Sequence, residues 1–183
     1  MSTTTLEEKL ADVRGRIDRL QAREQAGGDA ERARIRQRLD VLQQDEASLR
    51  ATAGRAPDEV EQKLGHLTTR LEVAERSLEA DLADDWPTFA AAVEAELHSW
   101  DTYLERLQTS AVEKAWKARA QAEAAIGDVR SRRIAVDERL ARARDVAGNA
   151  TEDARQRVTA ARDELERKAD ELSATFNGNG HEA

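Results

Sequence analysis

Apolar and small residues in the last third of the chain recur every eleven positions. Ala143, Ala154, Leu165 and Phe176 form one row; Ala125, Val136, Ala147, Val158 and Ala169 form a second; Ala150, Ala161 and Leu172 form a third. Eleven residues close three helical turns at about 3.67 residues per turn, so such a stripe runs nearly straight along a helix and favours a slight right-handed supercoil. The first half carries heptad spacing instead. Leu6, Leu10, Val13, Ile17 and Leu20 alternate steps of four and three. Ile35, Leu39, Leu42 and Leu49 do the same with Glu46 at one core-type position, and Val60, Leu64, Leu67, Leu71, Ala74 and Leu78 make the cleanest run. Both spacings predict helices that pack on other helices.

The breakers divide this pattern. Helix 1 is expected to start at the Thr3–Thr5 cluster, with Thr5 as N-cap and Glu8 completing a capping box. Gly27-Gly28 ends it, and Asp29 can cap helix 2. Two helices joined by so short a turn form an antiparallel hairpin by default. Pro57 with Asp58 and Glu59 suits the first turn of helix 3. The stretch Asp84-Asp85-Trp86-Pro87-Thr88 is the next break, because the residue before a proline is pushed out of helical angles. Helix 4 is then expected from near Thr88 with no strong breaker for roughly 60 residues, about 90 Å if unbroken. Its seam begins Phe89, Val93, Leu97, Trp100, Leu104, Leu107 and thins to Ala111, Ala115, Ala118, Ala122 and Ala125. Gly127 need not end a helix, whereas Gly148-Asn149, followed by Thr151 as a cap, is a candidate stop.

These elements predict an all-α fold, an elongated antiparallel helical bundle or coiled coil with four or five helices. The expected organisation is an N-terminal helical hairpin over 1–56, then a central hairpin with a long helix 4 over 57–147. A C-terminal helix with the eleven-residue repeat covers 148–176, and a disordered tail covers 177–183.

Composition agrees with long helices: of 183 residues, 36% are charged, 3% are aromatic and only two are proline. Arginine far outnumbers lysine, a bacterial, GC-rich type of composition. No cysteine is present, which excludes disulfides and thiolate catalysis. The residues after Met1 form no apolar leader, and no run reaches the length of a spanning helix, so a soluble, cytoplasmic protein is expected.

Charge changes the picture more than composition does. The net charge is −8, yet its sign alternates along the chain. Residues 58–85 are strongly acidic. Between 88 and 113, Glu94, Glu96, Asp101, Glu105 and Glu113 face Arg106 alone. From 114 to 144 the sign flips: Lys114, Lys117, Arg119, Arg130, Arg132, Arg133, Arg139, Arg142 and Arg144 outnumber Glu123, Asp128, Asp137 and Glu138. A helix 3–helix 4 hairpin sets acid beside acid and leaves the basic stretch projecting. One reading is an antiparallel dimer centred near Lys114, in which 84–113 of one copy meets 114–144 of the other. The alternatives are a solvated basic face and an external anionic partner. An alanine seam buries little area per residue, so the C-terminal third is expected to need a covering partner, either the N-terminal hairpin or a second copy. The helix seam assigned to that role is Ala111, Ala115, Ala118, Ala122, Ala125, Val136, Ala147, Val158, Leu165, Leu172 and Phe176. The candidate interaction residues are Trp116 together with the nine bases just named.

A search for reaction chemistry finds little. His66 and His98 lack the Glu-x-x-His pattern of di-metal bundles. Glu94, His98, Asp101 and Glu105 share a helical face, for which a solvated polar stripe is the simpler account. No zinc-protease, phosphate-loop, nucleophile-elbow or calcium-loop motif occurs. Trp86, Phe89 and Trp100 are expected to pack together and Tyr103 to be partly buried, while Trp116 is open to either burial or partner contact. No catalytic, cofactor or metal residues are assigned and no small-molecule substrate is implied. The function expected is non-enzymatic: a structural or adaptor protein acting through coiled-coil contacts, binding another protein or a second copy of itself as a homo-oligomer. The alternative is a peripheral amphipathic-helix protein on a lipid or membrane surface. Nucleic acid is disfavoured by the acidic balance.

Overall fold

The computed structural model describes residues 3–26, 28–52, 57–112, 116–144 and 150–178. Among these residues there are six α-helices and no strand: α1 (Thr3–Ala26), α2 (Asp29–Thr52), α3 (Pro57–Asp81), α4 (Trp86–Val112), α5 (Trp116–Arg144) and α6 (Ala150–Gly178). The chain falls into two compact units, Met1–Leu78 and Glu79–Ala183.

The first unit closes around the heptad positions. Val13, Ile17 and Leu20 of α1, Ile35, Leu39, Leu42 and Leu49 of α2, and Val60, Leu64, Leu67, Leu71, Ala74 and Leu78 of α3 form one buried cluster, with Leu10 packed at its edge. Polar contacts fix the directions of the helices. Arg14 meets Glu46 at 3.3 Å and Arg36 meets Glu24 at 2.7 Å, so α1 and α2 are antiparallel. Lys63 donates to Thr52 at 2.8 Å and Arg38 to Ser77 at 2.7 Å, so α2 and α3 are antiparallel as well. Arg16 closes the ring by pairing with Glu75 at 2.6 Å. Glu46, at the core-type position, is drawn to the rim between Arg14 and Arg50.

The second unit repeats the up-down-up plan. Arg133 of α5 reaches Asp101 of α4 at 2.8 Å, and Arg130 donates to Gln108 at 2.8 Å. Residues 32 apart in one straight helix would lie about 48 Å from each other, so α5 must fold back along α4. Helix α6 folds back in turn, since Arg132 meets Glu164 at 3.7 Å. It therefore runs parallel to α4, and Arg162 reaches Glu96. The core comprises Phe89, Val93, Leu97, Trp100, Tyr103, Leu104 and Leu107 of α4, Ala122, Ile126, Val129, Val136 and Leu140 of α5, and Val158, Leu165, Ala169 and Leu172 of α6.

Several expectations change. Helix 4 is two helices, α4 and α5, which brings the total to six among the described residues. Residues 113–115 contain no breaker and lie outside the described residues; α4 and α5 pair antiparallel on either side of them. The eleven-residue rows hold within α6, where Ala154/Leu165, Val158/Ala169 and Ala161/Leu172 are all buried. In α5 they hold only in part: Val136 and Ala143 are buried but Ala125 is half-buried, and the buried face follows heptad steps through Ile126, Val129, Val136, Leu140 and Ala143. The seam of α3 joins α1 and α2, and α4 takes α5 as its antiparallel neighbour. Thr5 lies inside α1, which starts at Thr3. For α2 the first backbone bond is accepted by the carbonyl of Gly28 from Arg32 at 2.8 Å, which leaves Asp29 in the first turn. Helix α4 starts at Trp86 rather than near Thr88. Asp85 caps it, accepting from the Thr88 N–H at 2.8 Å, while Pro87 sits in the first turn where no N–H is needed. Helix α6 runs through Asn177 and Gly178, residues assigned to the tail. The proposed stop at Gly148-Asn149, the seam positions Ala115 and Ala147, and residues 179–183 lie outside the described residues.

Leu71→Ala and Leu165→Ala, one in each unit's core, are expected to lower stability by about 2–5 kcal/mol each. Ile134→Ala, at a position 48% exposed, is expected to change it by less than about 0.5 kcal/mol. Urea unfolding followed by circular dichroism checks all three. Because every tryptophan lies in the Glu79–Ala183 unit, fluorescence reports the Leu165 change separately.

Candidate functional site

Most of the described basic residues of 114–144 are engaged within the chain. Arg119 pairs with Glu123 at 2.7 Å, Arg132 with Glu164, Arg133 with both Asp101 and Asp137, Arg142 with Glu138 at 3.6 Å, and Arg144 with Glu94. Arg130 donates to Gln108. Arg139 and Arg142, with Arg157 of α6, line an open groove of about 400 Å³ floored by Ala143 and Ala154. Lys114 lies outside the described residues, as do the side chains of Trp116, Lys117, Ala118 and Phe176. The acidic stripe is taken up in the same way, Glu94 by Arg144 and Asp101 by Arg133. Among the described residues no three His, Asp or Glu side chains gather in a way that could hold a metal ion.

Among the described residues, most of the alanine edge is covered within the Glu79–Ala183 unit, Ala125 being half-buried. Ala111, Ala122, Val136, Val158, Leu165 and Leu172 are all buried, packed by α4, α5 and α6 against one another. Val112 and Ile134, 54% and 48% exposed, are the exposed large apolar residues among those described.

The most unusual chemistry lies at residues to which the sequence pattern assigns no role. Arg162 of α6 is 3% exposed and donates through Nε to Glu96 Oε2 at 2.6 Å and through Nη1 to Asp81 Oδ1 at 2.9 Å. The other carboxylate oxygen of Glu96 accepts from the Trp100 indole N–H at 3.3 Å. Two turns earlier on α6, Arg155 donates to the Ala83 carbonyl and lies over the Phe89 ring, 4.8 Å from its centroid. Arg162 approaches the same ring at 5.9 Å. Thus two arginines of α6 grip the α3–α4 turn by charge, carbonyl and ring face together. Trp86 packs on Phe89 with centroids 5.6 Å apart, and Trp100 meets Tyr103 edge-on at 5.8 Å. Tyr103 is fully buried, beyond the partial burial expected of it.

The buried guanidinium of Arg162 thus meets two buried carboxylates, Glu96 and Asp81. Burial pushes Glu96 above the ordinary carboxyl range, and Arg162 only partly offsets this; Glu166 pushes in the same direction as burial. Arg162 itself stays charged: burial opposes its charge, but Glu96 and Asp81 together raise its pKa. A trace of the cluster is visible in the sequence. Glu96 lies three residues after Val93 and four before Trp100, and Arg162 lies three before Leu165, so each shares a face with the seam. Either residue alone reads as an ordinary flanking charge; only the fold shows that they meet.

Compared with known proteins, the chain matches no family model, and no curated protein or solved structure is significantly similar to it. The fold class is all-α, and no helix among the described residues is long and apolar enough to cross a membrane.

Arg162→Met is expected to destabilise the fold by about 3–5 kcal/mol, because the buried Glu96 and Asp81 carboxylates lose its guanidinium. Glu96→Gln is expected to behave differently. Above its ordinary value of 4.5 the unfolded chain releases the Glu96 proton while the folded chain still holds it, so wild-type stability falls as pH rises. Glutamine removes that slope. Urea midpoints at pH 5 and pH 8 should shift in favour of Glu96→Gln at the higher pH, and an equal difference at both would contradict the assignment.

Proposed function

We propose that the chain is a non-enzymatic structural or adaptor protein that acts through coiled-coil-type helix–helix contacts and associates with a second copy of itself. The observation that carries this reading is the α4–α5 face. An acidic helix meets a basic one on a single antiparallel register, through Asp101–Arg133, Glu94–Arg144 and Gln108–Arg130. Such a face can be offered to another helix of the same sequence as readily as to its own neighbour. Exposed pairs contribute only about 0–1 kcal/mol each, so charge selects the register while the buried seam supplies the stability. The lipid-surface alternative has less support, because the alanine and valine positions that would enter a lipid surface are already buried between helices.

Sedimentation equilibrium across the micromolar range tests the proposal. A reversible dimer is expected, and added salt should weaken it. A strict monomer at every concentration and ionic strength would remove self-association from the reading.

A further inference from the structure

We infer that the groove between α5 and α6 is a binding site for a short phosphate chain carried by a small soluble anion. The site belongs to a single chain and does not depend on self-association. Placement, pairing and shape all support it.

Placement follows from the antiparallel register. Arg132 of α5 meets Glu164 of α6, a cation against a carboxylate. Two turns along α5 and two turns back along α6, Arg139 stands opposite Arg157, with Arg142 one turn further on. Arg139 is one turn from both Val136 and Ala143, and Arg157 is one turn from both Ala154 and Ala161, all four of them buried. Both arginines therefore flank the seam and border the same groove from opposite helices. Like charges so placed repel each other, and an anion between them reverses the sign of that interaction.

Pairing sets these residues apart from the other arginines nearby. Arg119, Arg133 and Arg144 each meet a carboxylate, and Arg155 and Arg162 are held at the α3–α4 turn. Among the described residues, the side chains of Arg139 and Arg157 form no ion pair or hydrogen bond. Arg142 reaches Glu138 one turn back, through its carbonyl and, at 3.6 Å, through its carboxylate. Both side chains of that pair are largely exposed, so it is readily given up. The groove's lining carries three positive charges and no negative one.

Shape follows from the floor. Ala143 and Ala154 are buried and present one methyl group each, whereas Leu140 and Val158 fill the interface beside them. The resulting space of about 400 Å³ lies within the range of roughly 300–1,000 Å³ that small ligands occupy. Each guanidinium presents a planar fork that matches two phosphate oxygens. A lone carboxylate satisfies one such fork, while a phosphate chain offers oxygens to all three arginines at once. A nucleic-acid backbone fits less well, because the net charge is −8 and the other arginines named above are already engaged.

Isothermal titration calorimetry of the whole chain at low salt, with sodium tripolyphosphate as the probe, tests the site. Saturable binding is expected, with a rise in melting temperature that follows the degree of saturation. Arg139→Glu gives the sharpest comparison. A carboxylate facing Arg157 exchanges repulsion for attraction, so the free variant should melt no lower than wild type while tripolyphosphate binding is lost. Arg157→Gln should weaken binding about tenfold, the worth of one charge-assisted bond. Arg119→Gln, on the same helix but outside the groove, should leave binding unchanged. A nucleoside triphosphate separates the sources of the chain: tighter binding than tripolyphosphate assigns a nucleotide, and equal or weaker binding an inorganic polyphosphate. No binding at millimolar tripolyphosphate, equal binding of sulfate at matched ionic strength, or binding that survives Arg139→Glu overturns the site. Binding to DNA or to phosphatidylserine vesicles without binding of tripolyphosphate overturns it too, and assigns these arginines to an extended surface.

Discussion

The Glu79–Ala183 unit depends on a change of charge sign within what looks locally like one helix. Up to Glu113 the chain is acidic, and from Lys114 it is basic, with no breaker to mark the boundary. Fold-back satisfies both halves: Glu94 and Asp101 of α4 receive Arg144 and Arg133 of α5. The energy does not come mainly from these pairs, which sit at the rim and are screened. It comes from Leu97, Trp100, Leu104 and Leu107 closing over Ile126, Val129, Val136 and Leu140. The pairs decide which residues of the two seams lie opposite, and α6 is then laid down on the result.

Against that loosely specified rim, the buried cluster at Arg162 works in the opposite way. At the rim a misplaced charge costs little, because water compensates for it. Inside, a guanidinium that misses Glu96 and Asp81 loses buried charge-assisted bonds, and the cost is several kcal/mol. The cluster therefore ties α6 to one axial position against α4 and the α3–α4 turn. An alanine-rich helix, smooth and repetitive, could otherwise slide by a turn with modest loss of contact. Burial is also why Glu96 holds its proton above the ordinary range: the loss of water outweighs what Arg162 returns, and Glu166 adds to the effect.

The heptads of α1, α2 and α3 are legible in the sequence because leucine, isoleucine and valine at regular steps leave little choice of face. Val13, Ile17, Leu39, Leu42, Leu64 and Leu71 are buried as the spacing predicts. The fold-back of α5 is not legible. Helix propensity is a local quantity, and Glu113-Lys114-Ala115 favours a helix; only the sign change points to an antiparallel neighbour, and a neighbour in another chain meets that requirement equally well. The eleven-residue rows mislead at one described position, for a related reason. Alanine is frequent throughout α5, so Ala125 extends a row found in α6 without belonging to the buried face of α5. Ile126, Val129 and Leu140 mark that face by size rather than by period. Glu96 and Arg162 escape notice because each lies beside a seam and 66 residues from the other. No local pattern can report a pairing at that separation.

Seam, rim and buried cluster thus divide the work of the unit. Truncation in the α4–α5 seam removes buried apolar area and acts on stability. Exposed rim pairs, worth about 0–1 kcal/mol each, act on which residues lie opposite one another. Arg162 does both, because its buried charge-assisted bonds are costly to lose and can be made at only one axial position of α6.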